Sequence, residues 1–252
     1  MITMIKQYTL KIKGLKKLKE NMNMRVPRKY VEMTEEEKIF AGHLFDAHTK
    51  ELRDIKHKAH ELCRKYNQID EYDEGRSSII KEFIGAIGKK FYFQGPIQFN
   101  YGTHTFIGEN FFANFNLMVM DDGRIYIGDN VMFGPNVSLM ATNHPLIAQE
   151  RIAMKYPDKH VSVSEYADEI HIGNNVWIAA NVVVLGGVHI GDNTVIGAGS
   201  VVTRDIPAGY VAFGAPCKAI RKITEKDSKK DLLYIITLKN NNETVAKKLT
   251  CI

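Results

Sequence analysis

The chain of 252 residues is poor in cysteine, with three, and holds a single tryptophan. Cys63, Cys217 and Cys251 lie far apart and are odd in number. That pattern offers neither a disulfide framework nor metal-ligand spacing, so reduced thiols in a cytoplasmic protein are expected. No stretch approaches the roughly 20 apolar residues that a membrane helix needs, and the basic N-terminus lacks the apolar core of a secretory signal. A glycine-rich phosphate loop is missing, and so is any zinc-ligand set; no metal is expected.

An excess of one charge is also missing from the body of the chain. The net charge of +5 is concentrated at the ends. Residues 1–29 carry nine Lys/Arg against one acid, and residues 218–252 carry nine against four. The middle holds 16 basic and 24 acidic residues. A nucleic-acid binder usually carries its positive charge on the folded body, so no nucleic-acid partner is expected. Residues 1–23 read as a basic extension, and 214–252 as a C-terminal tail.

What is present falls into two textures. Over 24–90 the pattern is helical. Thr34 and Glu37 form a T-x-x-E capping box. Leu52, Ile55, Ala59, Leu62 and Tyr66 make an apolar stripe, and a third short helix presents Ile80, Phe83 and Ile87 before stopping near Gly88.

After Lys90 a six-residue period takes over. Ile172, Ile178, Val184, Ile190, Ile196 and Val202 run without a slip, and Val176, Val182, Val188, Thr194, Ser200 and Ile206 keep the same period four places on. An earlier ladder of Ile107, Ala113 and Val119 shifts by two and resumes as Ile127, Phe133 and Leu139. Such a period describes a short strand, a turn and a repeat, stacking each ladder residue on its equivalent. Gly and Asn at the corners take conformations closed to β-branched residues. The prediction is a mainly β protein: a parallel β-helix of hexapeptide repeats over 91–213, interrupted by an inserted loop at 140–169, behind an N-terminal helical segment.

The segments IGENFFANFN (107–116), MDD (120–122), IGDNVMFGPNVSL (127–139), NHP (143–145), IGNNVWIA (172–179), IGDNTVIGAGSVVTRDIP (190–207) and GAPCKAIRKI (214–223) resemble the galactoside and maltose O-acetyltransferase family. The helical stretch MTEEEKIFAGHLFDAHTKEL is similar in style, so the likeness spans roughly 33–223. The resemblance implies a left-handed β-helix and a homotrimer with sites between subunits. The implied reaction is acetyl transfer from acetyl-CoA to a sugar hydroxyl.

Residue by residue, the resemblance makes His144 the general base and places Asn114 beside the reacting thioester. It gives Asn100 and Asp122 to the acceptor, and Ala180, Ala198, Thr203, Arg204, Lys218 and Arg221, with Asn114, to coenzyme A. The remaining histidines offer no rival base: His57 and His60 lie on a polar helix face, and His104, His171 and His189 read as outward positions. Two departures stand out. The family's acidic residue on the N-terminal helix falls on Ala47, with Asp46 one place earlier, and the loop after His144 is longer than in the galactoside branch. The same fold also serves antibiotic and cell-envelope sugar acetyltransferases, and a catalytically inactive trimeric scaffold is the non-enzymatic alternative.

Overall fold

The computed structural model describes residues 32–152, 154–155, 161–229, 236–240 and 243–247. The basic extension, part of the C-terminal tail and Cys251 lie outside the described residues.

From Ala86 onward the chain winds as a parallel β-helix of three sheet faces. The first face stacks Ala86–Ile87, Thr105–Ile107, Ile125–Ile127, Ile170–Ile172 and His189–Ile190 in parallel. The second stacks Phe91–Phe93, Phe111–Ala113, Met132–Phe133, Trp177–Ile178, Val195–Ile196 and Tyr210–Gly214, then turns back antiparallel through Cys217–Lys222. The third stacks Ile97–Phe99, Leu117–Met120, Ser138–Met140, Val183–Leu185 and Val201–Val202.

Every ladder residue named from the sequence points inward and is buried, from Ile107 to Ile206. Two are polar, Thr194 and Ser200, and both sit where the stack is closing. The Ser200 hydroxyl donates to the Gly197 carbonyl and accepts the Gly214 N–H, satisfying backbone groups that a further coil would otherwise pair.

The corners explain the asparagines. Asn110, Asn130, Asn175 and Asn193 share left-handed φ values of 55–57°, and their amides form a ladder, each Nδ2 donating to the next Oδ1 at 2.9–3.0 Å. Asn116, Asn136 and Asn181 repeat this at the next corner, where Gly199 (φ 71°) takes the last rung. Asparagine tolerates this conformation better than other side chains and gains a bond from it.

Three helices precede the coils: α1 (Glu35–Phe40), α2 (Lys50–Gln68) and α3 (Arg76–Phe83). The capping box on α1 is present, with Glu37 N–H donating to Thr34 Oγ1 at 3.1 Å and Thr34 N–H to Glu37 Oε2 at 3.0 Å. α2 buries Leu52, Ala59, Leu62, Cys63 and Tyr66. α3 stops at Phe83, earlier than its stripe predicts, because Ile87 already belongs to the first β-coil.

Helices α2 and α3 seal the open end of the stack. The Tyr66 hydroxyl donates to the Phe93 carbonyl at 2.6 Å, and the Asn67 amide brackets Ile97, accepting from its N–H at 2.8 Å and donating to its carbonyl at 2.9 Å. Side chains thus do for the first coil what a preceding strand would do. Burial pushes the Cys63 thiol up to about 11, and Cys63 and Cys217 are both buried free thiols. No helix among the described residues is long and apolar enough to cross a membrane.

Candidate active site

The six-residue rule fails at one corner, between the third face and the first. Phe99 to Ile107 and Val119 to Ile127 each take two residues more than the repeat allows, and the long loop leaves after Leu139 from the same corner. The extra chain carries Asn100, Tyr101, His104, Asp121 and Asp122, all buried.

Asp122 is the centre of the cluster. Its Oδ2 accepts from the Asn100 amide at 2.8 Å and from the Thr142 hydroxyl. Its Oδ1 has no hydrogen-bond partner although the residue is fully buried, and Lys56 Nζ of α2 stands 3.7 Å away. The Tyr101 hydroxyl is a second buried atom without a partner. Desolvation raises the Tyr101 phenol well above its ordinary value, with Asp122 and Glu165 adding to the effect. Asp121 turns inward instead, accepting from Tyr101 N–H and the Thr105 hydroxyl, both at 2.8 Å. Burial raises its carboxyl above the usual range.

The loop folds back over this corner. Thr142–Asn143 pairs antiparallel with Ser164–Ala167, which in turn pairs with Phe45–Asp46 ahead of α2. His144 follows directly after this short sheet and is exposed. Glu165 is the residue that sequence reasoning missed. Its carboxyl is raised, first by burial and then by Asp122, while Lys56, His144 and His48 pull it back. Lys56 was missed as well, because it reads as part of the solvated face of α2.

Two expectations are corrected. His104 is not an outward residue: it is 2% exposed, because the irregular corner breaks the in-out alternation of the strands. Asp46 does not lie on a helix; it sits in the Phe45–Asp46 strand, with Oδ1 accepting the Ser162 hydroxyl at 2.6 Å and the His48 N–H at 2.9 Å. That bonding fastens the loop to the N-terminal segment. His57 and His60 lie on the polar face of α2 as expected; partial desolvation lowers His60, offset in part by a hydrogen bond with Asn100.

Asn114, Ala180, Ala198 and Lys218 gather on the opposite edge of the third face. Asn114, half-buried, directly follows its strand, with Oδ1 accepting its neighbour Phe115 N–H at 2.7 Å, so that its amide has Nδ2 left as a donor. Above Asn114 the same column holds Gly134, Ala179, Gly197 and Phe213, with Pro135, Ala180 and Ala198 beside it. A Cβ on Gly134 would stand 2.7 Å from the Ala180 nitrogen, and one on Gly197 would stand 2.9 Å from Phe213 Cβ. The result is a strip almost bare of side chains, rising over several coils to Lys218, which pairs with Phe213.

Thr203 and Arg204 are exposed just past the last strand of the third face. Arg221 is exposed but engaged, donating to Asp227 through Nη1 at 2.8 Å and Nη2 at 2.7 Å. Within one chain, therefore, Asn100, Asp122 and His144 are brought to one edge, while Asn114, Ala180, Ala198 and Lys218 line another. Among the described residues, no group of three or more His, Cys, Asp or Glu side chains could hold a metal ion.

A stacked hexapeptide helix with a helical cap, a polar corner at one edge of its third face and a bare strip at the other suits a class of acyl-transferring proteins, and comparison with known proteins narrows it. Residues 169–204 match the bacterial transferase hexapeptide (six repeats), and residues 38–88 match the maltose acetyltransferase hexapeptide capping motif. The chain is 41% identical to the galactoside O-acetyltransferase of Escherichia coli K12, over 76% of this chain and 90% of that protein. It is 40% identical to the crystal structure of a maltose O-acetyltransferase from Clostridium difficile, with a TM-score of 0.70 over 77% of this chain and 99% of that one. A galactoside acetyltransferase in complex with coenzyme A is 38% identical, with a TM-score of 0.71 over 85% and 100%. The chain belongs to the galactoside and maltose O-acetyltransferase family of hexapeptide-repeat enzymes.

Proposed function

We propose that this acetyl-CoA-dependent O-acetyltransferase takes a sugar hydroxyl as its acceptor, with His144 as general base. The observation that carries the reading is the fully buried Asp122 carboxylate, whose Oδ1 has no hydrogen-bond partner and lies in the corner covered by the His144 loop. A buried carboxylate oxygen without a donor costs free energy, and a sugar hydroxyl is a fitting donor for it once neighbouring side chains, Lys56 among them, move aside to admit it. Asn100 and Lys56 supply further polar contacts to the same oxygens.

His144 accepts the hydroxyl proton as the oxygen attacks the thioester carbonyl. The Nδ2 of Asn114 donates to the oxyanion of the tetrahedral intermediate. Collapse of that intermediate expels the coenzyme A thiolate. The bare strip lets the pantetheine arm lie against backbone amides, while Lys218, Arg204, Thr203 and Arg221 surround its phosphates.

These two half-sites sit at different edges of one chain, so a neighbouring chain completes the site. Outward columns support a homotrimer. The second face presents Tyr92, Phe112, Met132, Trp177, Val195 and Val211, with Met132 50% and Trp177 48% exposed. The third presents Met118, Met120, Met140, Val183 and Leu185. Two adjacent apolar faces meeting at the Asn114 corner suit a closed ring in which one face packs on the other. The buried free thiols fit a cytoplasmic setting.

The test is thiol release from acetyl-CoA with glucose, maltose, lactose and N-acetylglucosamine, alongside light scattering. His144→Ala should keep the trimer mass and lose about 10²–10⁴-fold in turnover. A variant with half of the wild-type rate, or no acceptor-dependent release by the wild type, would overturn the reading.

A further inference from the structure

The three glutamates that open α1 have separate tasks. Glu37 closes the capping box. Glu35 Oε2 accepts the Asp46 N–H at 2.7 Å, holding the strand that carries the loop. Glu36 reaches away from the helix to His104, with Oε1 3.1 Å from Nε2.

The His104 ring lies between Tyr101, stacked at 4.6 Å and 16°, and Phe40 of α1, edge-on at 4.9 Å. Its Nδ1 is 2.9 Å from the carbonyl oxygens of both Asp121 and Asp122. Carbonyl oxygens can only accept, so Nδ1 carries a proton and donates to both. Two successive carbonyls converging on one donor fix the Asp121–Asp122 peptide and the direction in which the Asp122 side chain leaves the chain. This matters because the corner lies outside the regular strands, where ladder bonds would otherwise set the backbone.

We infer that His104 is a positioning residue for Asp122, held by Glu36, so that helix α1 sets the aim of the acceptor-binding carboxylate. The inference rests on the reading of Asp122 as an acceptor contact. Tyr101 and Phe40 fix the plane of the ring, Glu36 fixes its rotation, and Nδ1 passes that constraint to the backbone of the site. A displacement on the order of 1 Å in such a site can cost about 10²-fold in rate.

The experiment compares His104→Phe, which keeps a ring but no donor, with His104→Asn, whose amide can replace Nδ1–H but cannot reach Glu36. Glu36→Gln weakens the outer clamp alone. Steady-state kinetics are measured in the full-length protein with acetyl-CoA and whichever sugar of the four-member panel gives the highest kcat/KM. Expected is an acceptor KM raised about ten-fold or more in His104→Phe, with the acetyl-CoA KM within about two-fold of wild type. His104→Asn should recover part of the loss, and Glu36→Gln should show a smaller rise of about two- to five-fold. Should His104→Phe not fold, the other two variants carry the test, and an unchanged acceptor KM in both overturns the inference. A loss of thermal stability with no split between the two KM values also overturns it, because a purely structural ring would behave that way. Asp122→Asn, measured in parallel, separates the failures. A wild-type acceptor KM there defeats the reading of Asp122 and the inference with it. A raised KM there with none in the His104 variants defeats the inference alone.

Discussion

The Asn100 amide and the Asp122 carboxylate, 22 residues apart, meet at 2.8 Å on successive coils inside the one corner where the hexapeptide period breaks. In the proposed site Asn100 therefore orients Asp122 through Oδ2 and leaves Oδ1 for the acceptor. Removing the amide leaves Oδ2 with the Thr142 hydroxyl alone. Asn100→Ala should raise the acceptor KM about 5- to 30-fold, the worth of one or two kcal/mol, and leave the acetyl-CoA KM near wild type. Equal changes in both constants would remove Asn100 from the acceptor side.

The bare strip makes an opposite demand. Ala180 adjoins the column that rises from Asn114 to Phe213 and Lys218. Ala180→Leu adds three carbons to its wall. The acetyl-CoA KM should rise at least about ten-fold, as expected when side chains intrude on a preformed slot, with the melting temperature nearly unchanged. Isothermal titration with coenzyme A measures this directly, and undiminished affinity would place the pantetheine arm elsewhere.

Glu165 makes a pH prediction with a definite sign. Burial and the neighbouring Asp122 raise its carboxyl, so the folded chain holds that proton to a higher pH than the unfolded chain does. Stability therefore falls as pH climbs from the ordinary glutamate value near 4.3 through the raised one. Glu165→Gln should be more stable than wild type at pH 7–8, and the gain should vanish below about pH 4. Each kcal/mol relieved corresponds to about 2–4 °C in Tm for a chain of this size. An unaltered difference across that range would show that Lys56 already neutralises the charge.

Arg221 is occupied by Asp227, and the hydrogen bonds from Arg221 pull the Asp227 carboxyl down to about 2. That ion pair is intact at neutral pH and is lost only as pH falls through that value. Asp227→Asn frees the guanidinium. If Arg221 meets a coenzyme A phosphate, the acetyl-CoA KM should fall about two- to three-fold at low salt, and less at high salt. The same substitution in an Arg221→Ala background should do nothing. An identical effect in both backgrounds would assign it to the lost carboxylate alone.

The coils were legible because every sixth residue repeats one steric task, and the ladder from Ile172 to Val202 has no slip. The asparagine corners were legible for the same reason. Where the task changes, the pattern stops informing. His104 reads as an outward residue only if strand alternation is carried through the corner, and there the backbone turns it inward. The resemblance counts Asp46 one place from an acidic position on the family's N-terminal helix, yet Asp46 pairs with a loop more than 100 residues away, beyond any local signal. Glu165 and Lys56 were hidden by the same circumstance. A carboxylate in an aperiodic loop and a lysine on a polar helix face look solvated until the chain brings them to Asp122. The two-residue slip between Val119 and Ile127 was in plain view, and it marks the corner where those side chains converge.

The asparagine ladders have a consequence for how the molecule comes apart. Each coil touches only the coil above and the coil below, so cohesion is passed along like the links of a zipper and not shared through a common centre. One end is fastened, where Tyr66, Asn67 and Arg76 bind the first coil through side chains. The other is closed by hydroxyls and a single hairpin. Fraying should start from the hairpin side and travel toward the helices, and amide exchange should slow steadily in the reverse direction. A break in the middle rung would split the protein into a persistent half and a fleeting one.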